Sequence, residues 1–380
     1  MAALATALEA RGRESGLAAL GFTSADPFVS TRDDLQQRKA DGLHGGMQFT
    51  YRNPARSTEP GRILTDARSL VVGARSYRTA EETPVSVGSA RVARYARSDH
   101  YGDLAASLES LAELLRGEGW SARVVADDNA LVDRAAAYRA GIGWFGKNTN
   151  LLLPGSGSWF VLGAVVTDAL LPESSPVEDG CGRCTACLSG CPTDAIIAPG
   201  VLDARRCLAW LVQAPGEIPE PYRVAMGDRV YGCDDCQEVC PPNRVPRHAP
   251  GARHLSGPVG GGVDAPSARV DGGQWVELAV LLTAPSDELL ARFGRWYIPR
   301  RDPRYLRRNA LVVVGNTPDL APDEVFTLLW PYLVGPDPLL RAHAVWAARR
   351  HRRQDVLRWL PAEVDMAVVE ELNRPVEPLV

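Results

Sequence analysis

The residues of this chain best suited to chemistry are its eight cysteines, all of which fall between Cys181 and Cys240. Cys181, Cys184, Cys187 and Cys191, followed by Pro192, spell C-x2-C-x2-C-x3-C-P, a spacing that wraps one iron–sulfur cubane while its fourth sulfur normally ligates a second cluster. Cys233, Cys236 and Cys240 form a second run, again ending in proline, and Cys207 stands alone between the two. Crossing the last sulfur of each run leaves no cysteine over. Cys181, Cys184, Cys187 and Cys240 then hold one [4Fe–4S] cluster, and Cys191, Cys207, Cys233 and Cys236 hold the other. Four-cysteine zinc sites also use C-x2-C pairs, but the triple C-x2-C-x2-C and the two Cys-Pro endings favour clusters. A purely structural role for the clusters is the other alternative. Clusters move single electrons, so a group nearby must accept them and carry out the reaction.

The remaining sequence must position that module and its acceptor. The chain has 380 residues, 45% of them apolar and 23% charged, with a formal net charge of −4. This is enough for two or three domains with a real core, and it makes any nucleic-acid contact a matter of a local patch. No apolar run is long enough to span a bilayer, and the charged N-terminus lacks the apolar centre of a signal peptide. The expected location is therefore the cytoplasm, where thiols stay reduced and clustered cysteines serve as metal ligands. No G-x-G-x-x-G after a strand and no G-x-x-x-x-G-K-[ST] occurs, so no nucleotide or P-loop site is indicated.

Residues 1–20 read as an amphipathic helix, Ser69–Tyr77 as a strand, Leu104–Glu118 as a helix ending at Gly119, Arg123–Ala126 as a strand, Leu131–Ala140 as a helix and Trp159–Val166 as a buried strand. This alternation predicts a mixed α/β domain over 1–172. A loop-rich cysteine module over 173–248 and a Gly/Pro-rich linker over 249–273 follow. Helices are predicted over 274–380, where RRNALVVVGN (307–316) and LRAHAVWAAR (340–349) resemble two short HEAT-like repeats with Arg308 and Arg341 33 residues apart. Two unrelated helices with apolar faces would read the same way. Residues 294–309, GRWYIPRRDPRYLRRN, hold six arginines, including Arg300, Arg301, Arg307 and Arg308, interleaved with Trp296, Tyr297 and Tyr305. Such a strip suits phosphates and unstacked bases, although a solvated helix face paired to Asp302 would have the same composition.

Taken together, ARYAR (93–97), Asp127 with Asp133-Arg134 after it, AGIGWFGKNTNLL (140–152), GSWFVLG (157–163), the two cysteine runs, LDARRC (202–207) and RRNALVVVGN resemble the epoxyqueuosine reductase family. The resemblance covers most of the chain. It implies an α/β cobalamin-binding N-terminal domain, a ferredoxin-like module with two [4Fe–4S] clusters, and C-terminal HEAT-like repeats that hold tRNA carrying epoxyqueuosine. It also implies that the clusters reduce cobalamin to a low-valent state that attacks the epoxide. Asp127 matches the family's proton donor, an acid that is useful near neutral pH only if its surroundings raise its pKa; capping a following helix is its plain structural alternative. Arg56, Arg94, Tyr95, Lys147, Asn148, Ser158, Tyr231, Gly232, Asp234 and Asp235 match positions associated with cobalamin. Arg300, Arg308 and Asn309 match the family's R…RN pattern on the RNA side, and Gln213 falls where the family touches the substrate nucleoside. The implied protein is a monomer fed by a flavodoxin- or ferredoxin-type electron donor. The alternative enzyme is a cobalamin and iron–sulfur reductase of a small molecule, resembling reductive dehalogenases. Two departures stand out: Leu208-Ala209-Trp210-Leu211 follows Cys207 where many members carry two hydroxyls, and Asp99-His100-Tyr101 is a rearranged Asp-Tyr-His.

Overall fold

A computed structural model of the chain describes residues 1–78, 83, 84, 86–244 and 273–379. The predicted linker 249–273 lies outside the described residues except for Gly273. The strands, in chain order, are β1 (Ala19–Ser24), β2 (Ser69–Ser76), β3 (Ser89–Val92), β4 (Ala122–Ala126), β5 (Trp144–Phe145), β6 (Leu151–Leu152), β7 (Phe160–Thr167), β8 (Ile196–Ala198), β9 (Val201–Leu202), β10 (Arg229–Tyr231) and β11 (Trp275–Glu277). The chain divides into two compact units that do not follow sequence order. Met1–Ala80, Asp99–Cys207 and Asp234–Ala268 make one; Glu81–Ser98, Leu208–Cys233 and Arg269–Val380 make the other.

The first unit is built on an antiparallel sheet of order β1-β2-β7-β4. Its two central strands are apolar on both faces because both faces are covered. Leu70, Val72 and Ala74 of β2 join Ala135, Ala136 and Ala137 of the helix Asp133–Arg139 in one cluster. The helix His100–Gly117 packs on β2, β4 and β7. Gly73 and Gly163 sit opposite one another in the register of β2 and β7. A side-chain carbon at either would lie 3.1 or 2.8 Å from a methyl of Leu108, so these glycines let the helix approach the sheet. Asp99 caps that helix, its carboxylate accepting the Gly102 N–H at 3.0 Å. This gives the rearranged Asp99-His100-Tyr101 a structural role. The helix expected over 1–20 runs only over Ala2–Glu14, and Ala19 and Leu20 open β1, which lacks a clear alternation in the sequence, whereas β2, β4 and β7 fall within one residue or so of expectation.

The second unit has a small sheet in which β3 lies between β10, parallel to it, and β11, antiparallel to it. Helices Arg304–Asn316, Pro322–Leu333, Pro338–Arg350 and Met366–Asn373 pack in turn around its core. The two look-alike segments meet here: a side-chain carbon at Gly315 would fall 2.4 Å from the Trp346 ring, so the glycine admits the indole. Arg223 is fully buried, donating to Glu371 at 2.9 Å and to the Ile218 carbonyl at 2.8 Å. His343, also fully buried, accepts the Ile218 N–H at 3.2 Å through Nε2, and burial lowers its pKa well below the usual histidine value. No described helix is long and apolar enough to cross a membrane.

Removing one member of a buried ion pair strands the other charge. Glu371→Leu is expected to lower the stability of this protein by about 3–5 kcal/mol, read as a fall in the denaturant midpoint with the slope of the transition retained.

Candidate iron–sulfur and catalytic site

The cysteine runs lie on loops and single helical turns, which lets successive thiols turn inward around a common centre. The turn Ala186–Ser189 of the first run packs against the turn Asp235–Glu238 of the second. Their approach is close: a side-chain carbon at Gly190 would be 2.7 Å from Val239 Cγ2. Cys240 comes near the first run, and its thiol is pushed up to about 11 by burial and then by the neighbouring Cys187, Cys181 and Cys184. Burial also raises Cys187, with Cys181 and Cys184 adding to the effect. These four are the cysteines that the crossed spacing assigned to one cluster. All eight cysteines are free thiols. Donors also surround the second set: the Ala195 N–H reaches Cys191 Sγ at 3.2 Å and Asn150 Nδ2 lies 4.0 Å from Cys236 Sγ.

Asp127 follows β4 in the left-handed region (φ 50°), at the start of a loop that runs to the helix Asp133–Arg139. Such a backbone in a non-glycine residue is uncommon outside functional and turn positions. The loop is pinned from several sides. Asp128 accepts the Ala130 N–H at 2.8 Å, Ser57 Oγ donates to the Asn129 carbonyl at 2.5 Å, and the Val132 N–H reaches the Ser57 carbonyl at 3.0 Å. Arg56, on the next turn of that segment, lies 4.0 Å from Asp128. Asp127 keeps solvent-exposed surface, yet enough protein surrounds its carboxyl for burial to raise its pKa, and the charges of Asp133, Asp128 and Asp99 raise it further. Asp127 is not a helix cap: the helix begins six residues on, after Val132.

The hairpin β5–β6 carries the predicted Lys147 and Asn148, and here the structure redirects the expectation. Lys147 Nζ donates to the carbonyls of Gly182 and Cys184 at 2.7 and 2.8 Å, and Asn148, which is buried, donates to the Cys236 carbonyl at 3.2 Å. Both side chains serve the cysteine loops. Ser158 is also corrected. It is buried, and its hydroxyl donates to Gln237 Oε1 at 2.9 Å while accepting from Asn243 Nδ2 at 3.0 Å. Tyr77 joins the same Gln237 oxygen at 3.3 Å. Ser158 therefore has no hydroxyl to offer a ligand, and Tyr77, Gln237 and Asn243 are functional-site scaffolding that the sequence reading missed; the polar positions within YGCDDCQEVCPPNR were the available signal. Asp234 is buried at the head of the turn Asp235–Glu238, while Asp235 is half-buried.

In the second unit, four expected residues meet. Gln213 Nε2 donates to the Tyr95 hydroxyl at 3.1 Å, the rings of Tyr95 and Tyr231 are 6.3 Å apart, and Gly232 (φ 73°) is so close that a side-chain carbon would be 2.5 Å from Ala93 Cβ. Arg94 precedes Tyr95 on the same helical turn. The arginine strip does not hold as one surface. Arg300 and Arg301 are exposed, both with left-handed backbone (φ 55° and 53°). Arg307 is tied to Ser286 Oγ at 3.1 Å and to the Ala284 carbonyl at 2.9 Å. Arg308 and Asn309 are fully buried, which corrects their assignment to direct RNA contact. Arg308 donates to the carbonyls of Leu211, Val212, Ala214 and Gly216, and Asn309 to those of Val212 and Val230. Burial lowers Arg308 to about 9, which leaves it charged at neutral pH. Together they hold the loop that bears Gln213.

Two cysteine runs brought against one another, with the spacing of cluster ligands, define an iron–sulfur protein. Residues 180–243 match the family described as a 4Fe-4S double cluster binding domain. An epoxyqueuosine reductase from Bacillus anthracis is 31% identical over 95% of this chain and 94% of its own. A solved epoxyqueuosine reductase with a tRNA-TYR epoxyqueuosine-modified tRNA stem loop superposes with a TM-score of 0.81 at 28% identity, covering 98% of this chain and 99% of that one. Another, from Bacillus subtilis, was solved with its catalytic aspartate loop swung out of the active site; it gives a TM-score of 0.80 at 28% identity over 97% of each chain. The chain belongs to the epoxyqueuosine reductase family.

A phosphate contact would change the salt dependence of RNA binding, whereas a buried brace would not. Arg308→Lys, which cannot span four carbonyls, is expected to lower stability by about 1–3 kcal/mol and to leave the slope of log K against log salt unchanged in a stem-loop titration.

Proposed function

We propose that this chain reduces epoxyqueuosine to queuosine at the wobble position of the anticodon in tRNA, using cobalamin reduced through its two [4Fe–4S] clusters. The observation that carries the reading is the carboxyl of Asp127: its pKa is raised by burial and by three neighbouring acids, and it lies on a pinned, left-handed loop in the same unit as the first cysteine run and as Cys236 and Cys240 of the second. The reaction takes up two electrons and two protons, converts the epoxide to the cyclopentene and releases water. When bound, cobalamin supplies the low-valent metal centre through which the electrons reach the substrate. Asp127 gives a proton to the oxygen as the C–O bond breaks, which a carboxyl does well only when it stays protonated near neutral pH. Arg56, exposed beside the loop, and the accessible face of Asp127 suit a large cofactor with polar edges. Ser158, Lys147 and Asn148 already have partners and act behind that surface. The eight thiols suit two four-coordinate clusters in the crossed sense.

On the RNA side, Arg300 is exposed to phosphates, as is Arg301 apart from its bond to the Gly294 carbonyl at 3.0 Å, and Gln213, set by Arg308 and bonded to Tyr95, is a group for the nucleoside. The division into a cobalamin domain at 1–172, a cluster module at 173–248 and HEAT-like repeats at 274–380 belongs to the same proposal, as do a cytoplasmic monomer and a flavodoxin- or ferredoxin-type donor. A small-molecule reductase is not favoured, since relatives named epoxyqueuosine reductase match nearly the whole chain, helical region included.

Anaerobic reconstitution should give about eight iron atoms and, with cobalamin added, about one cobalt per chain; zinc in place of iron would refute the cluster reading. Asp127→Asn should retain cobalamin and stem-loop binding while kcat falls about a hundred- to ten-thousandfold, the usual contribution of a positioned acid. Because the acid must be protonated, wild-type kcat/KM should decline as pH rises through the raised pKa of Asp127. A flat profile across that range, or an active Asn variant, removes Asp127 from the mechanism.

A further inference from the structure

The turn between β5 and β6 touches both cysteine runs, and it does so with different chemistry on each side. Lys147 places an ammonium on the carbonyls of Gly182 and Cys184, inside the loop that wraps the first cluster. Asn148 and Asn150, neutral amides, face the carbonyl and sulfur of Cys236 in the second run. None of the described ion pairs of this unit engages Lys147, so the charge is not cancelled by a bonded carboxylate. One opposite charge lies on the same loop: Asp179 accepts the Cys181 N–H at 2.8 Å and is otherwise exposed. Adding an electron makes a cluster one unit more negative, and nearby charge and hydrogen bonds set its potential. A fixed cation therefore favours the reduced form, and a fixed anion opposes it.

We propose that Lys147 is a positioning and potential-setting residue for the first cluster, latching the Gly182–Cys184 loop and holding that cluster more readily reducible than its bare loop would be, while neutral amides of the same turn meet the second run. The inference rests on the cluster assignment above but on neither cobalamin nor tRNA. At an effective dielectric of about 40, between a protein surface and bulk water, and a separation of about 6 Å, one charge corresponds to about tenfold in a one-electron reduction equilibrium, or ~59 mV.

The test is a redox titration of the reconstituted, cobalamin-free protein followed by EPR, which resolves two one-electron centres. Lys147→Met should shift one midpoint negative by about tenfold in the equilibrium, or ~59 mV, and leave the other in place. Lys147→Arg should stay near wild type, and Asp179→Asn should shift the same centre in the positive direction. Should Lys147→Met fail to hold the first cluster, iron should fall from about eight to about four, with one EPR centre left, which also supports the latch. Both midpoints unchanged in the fully loaded Met variant, or both clusters lost together, would overturn the proposal. Failure of wild type to take up iron would instead overturn the cluster reading itself.

Discussion

The constraint on which the rest depends is that two short cysteine runs, separated by more than forty residues of chain, must be brought together. Four thiols cannot surround a cluster unless the segments that carry them touch. The chain meets this by laying the turn Ala186–Ser189 against Asp235–Glu238, with Gly190 admitting Val239 where any side chain would collide. Cys240 is thereby delivered to Cys181, Cys184 and Cys187, and its raised thiol pKa reflects that crowding before a cluster is bound. Thiols held close and partly buried resist ionising individually.

Loops that carry ligands need bracing, and the braces are the polar residues most conspicuous in the sequence. Ser158, Gln237, Asn243 and Tyr77 form one buried network in the first unit. Arg308 and Asn309 form another in the second. In each, a side chain satisfies buried carbonyls that a loop cannot satisfy by itself. The result couples stability to geometry: the groups that keep the loops folded also fix where Cys236 and Gln213 stand.

Asp127 obeys a different logic. Its left-handed backbone and its three acidic neighbours are both unfavourable locally, and they persist because Ser57, Asp128 and Val132 hold the loop in place. Burial first, and then the like charge of three acids, raise the pKa of this one carboxyl, the direction that a proton donor requires. The same loop begins where the edge strand β4 ends, so the sheet fixes its origin while its tip stays accessible.

Cysteine spacing determined the cluster content of this protein without help from the fold, because ligand number and order are local properties of the chain. The strands β2, β4 and β7 and most of the helix His100–Gly117 were equally legible, since hydrophobic periodicity is written in neighbouring residues, although the first turn and its Asp99 cap were not. Tertiary structure alone decided which conspicuous residues face a ligand and which face the interior. Lys147 and Asn148 read as cofactor contacts and Arg308 and Asn309 as RNA contacts, but hydrogen-bond partners dozens of residues away claim all four side chains. It also decided that residues 81–98 and 208–233 leave their sequence neighbours for the second unit, because β3 finds its partners in β10 and β11. A donor's type is visible in one dimension; its acceptor is chosen only once distant backbone is folded against it and water is excluded.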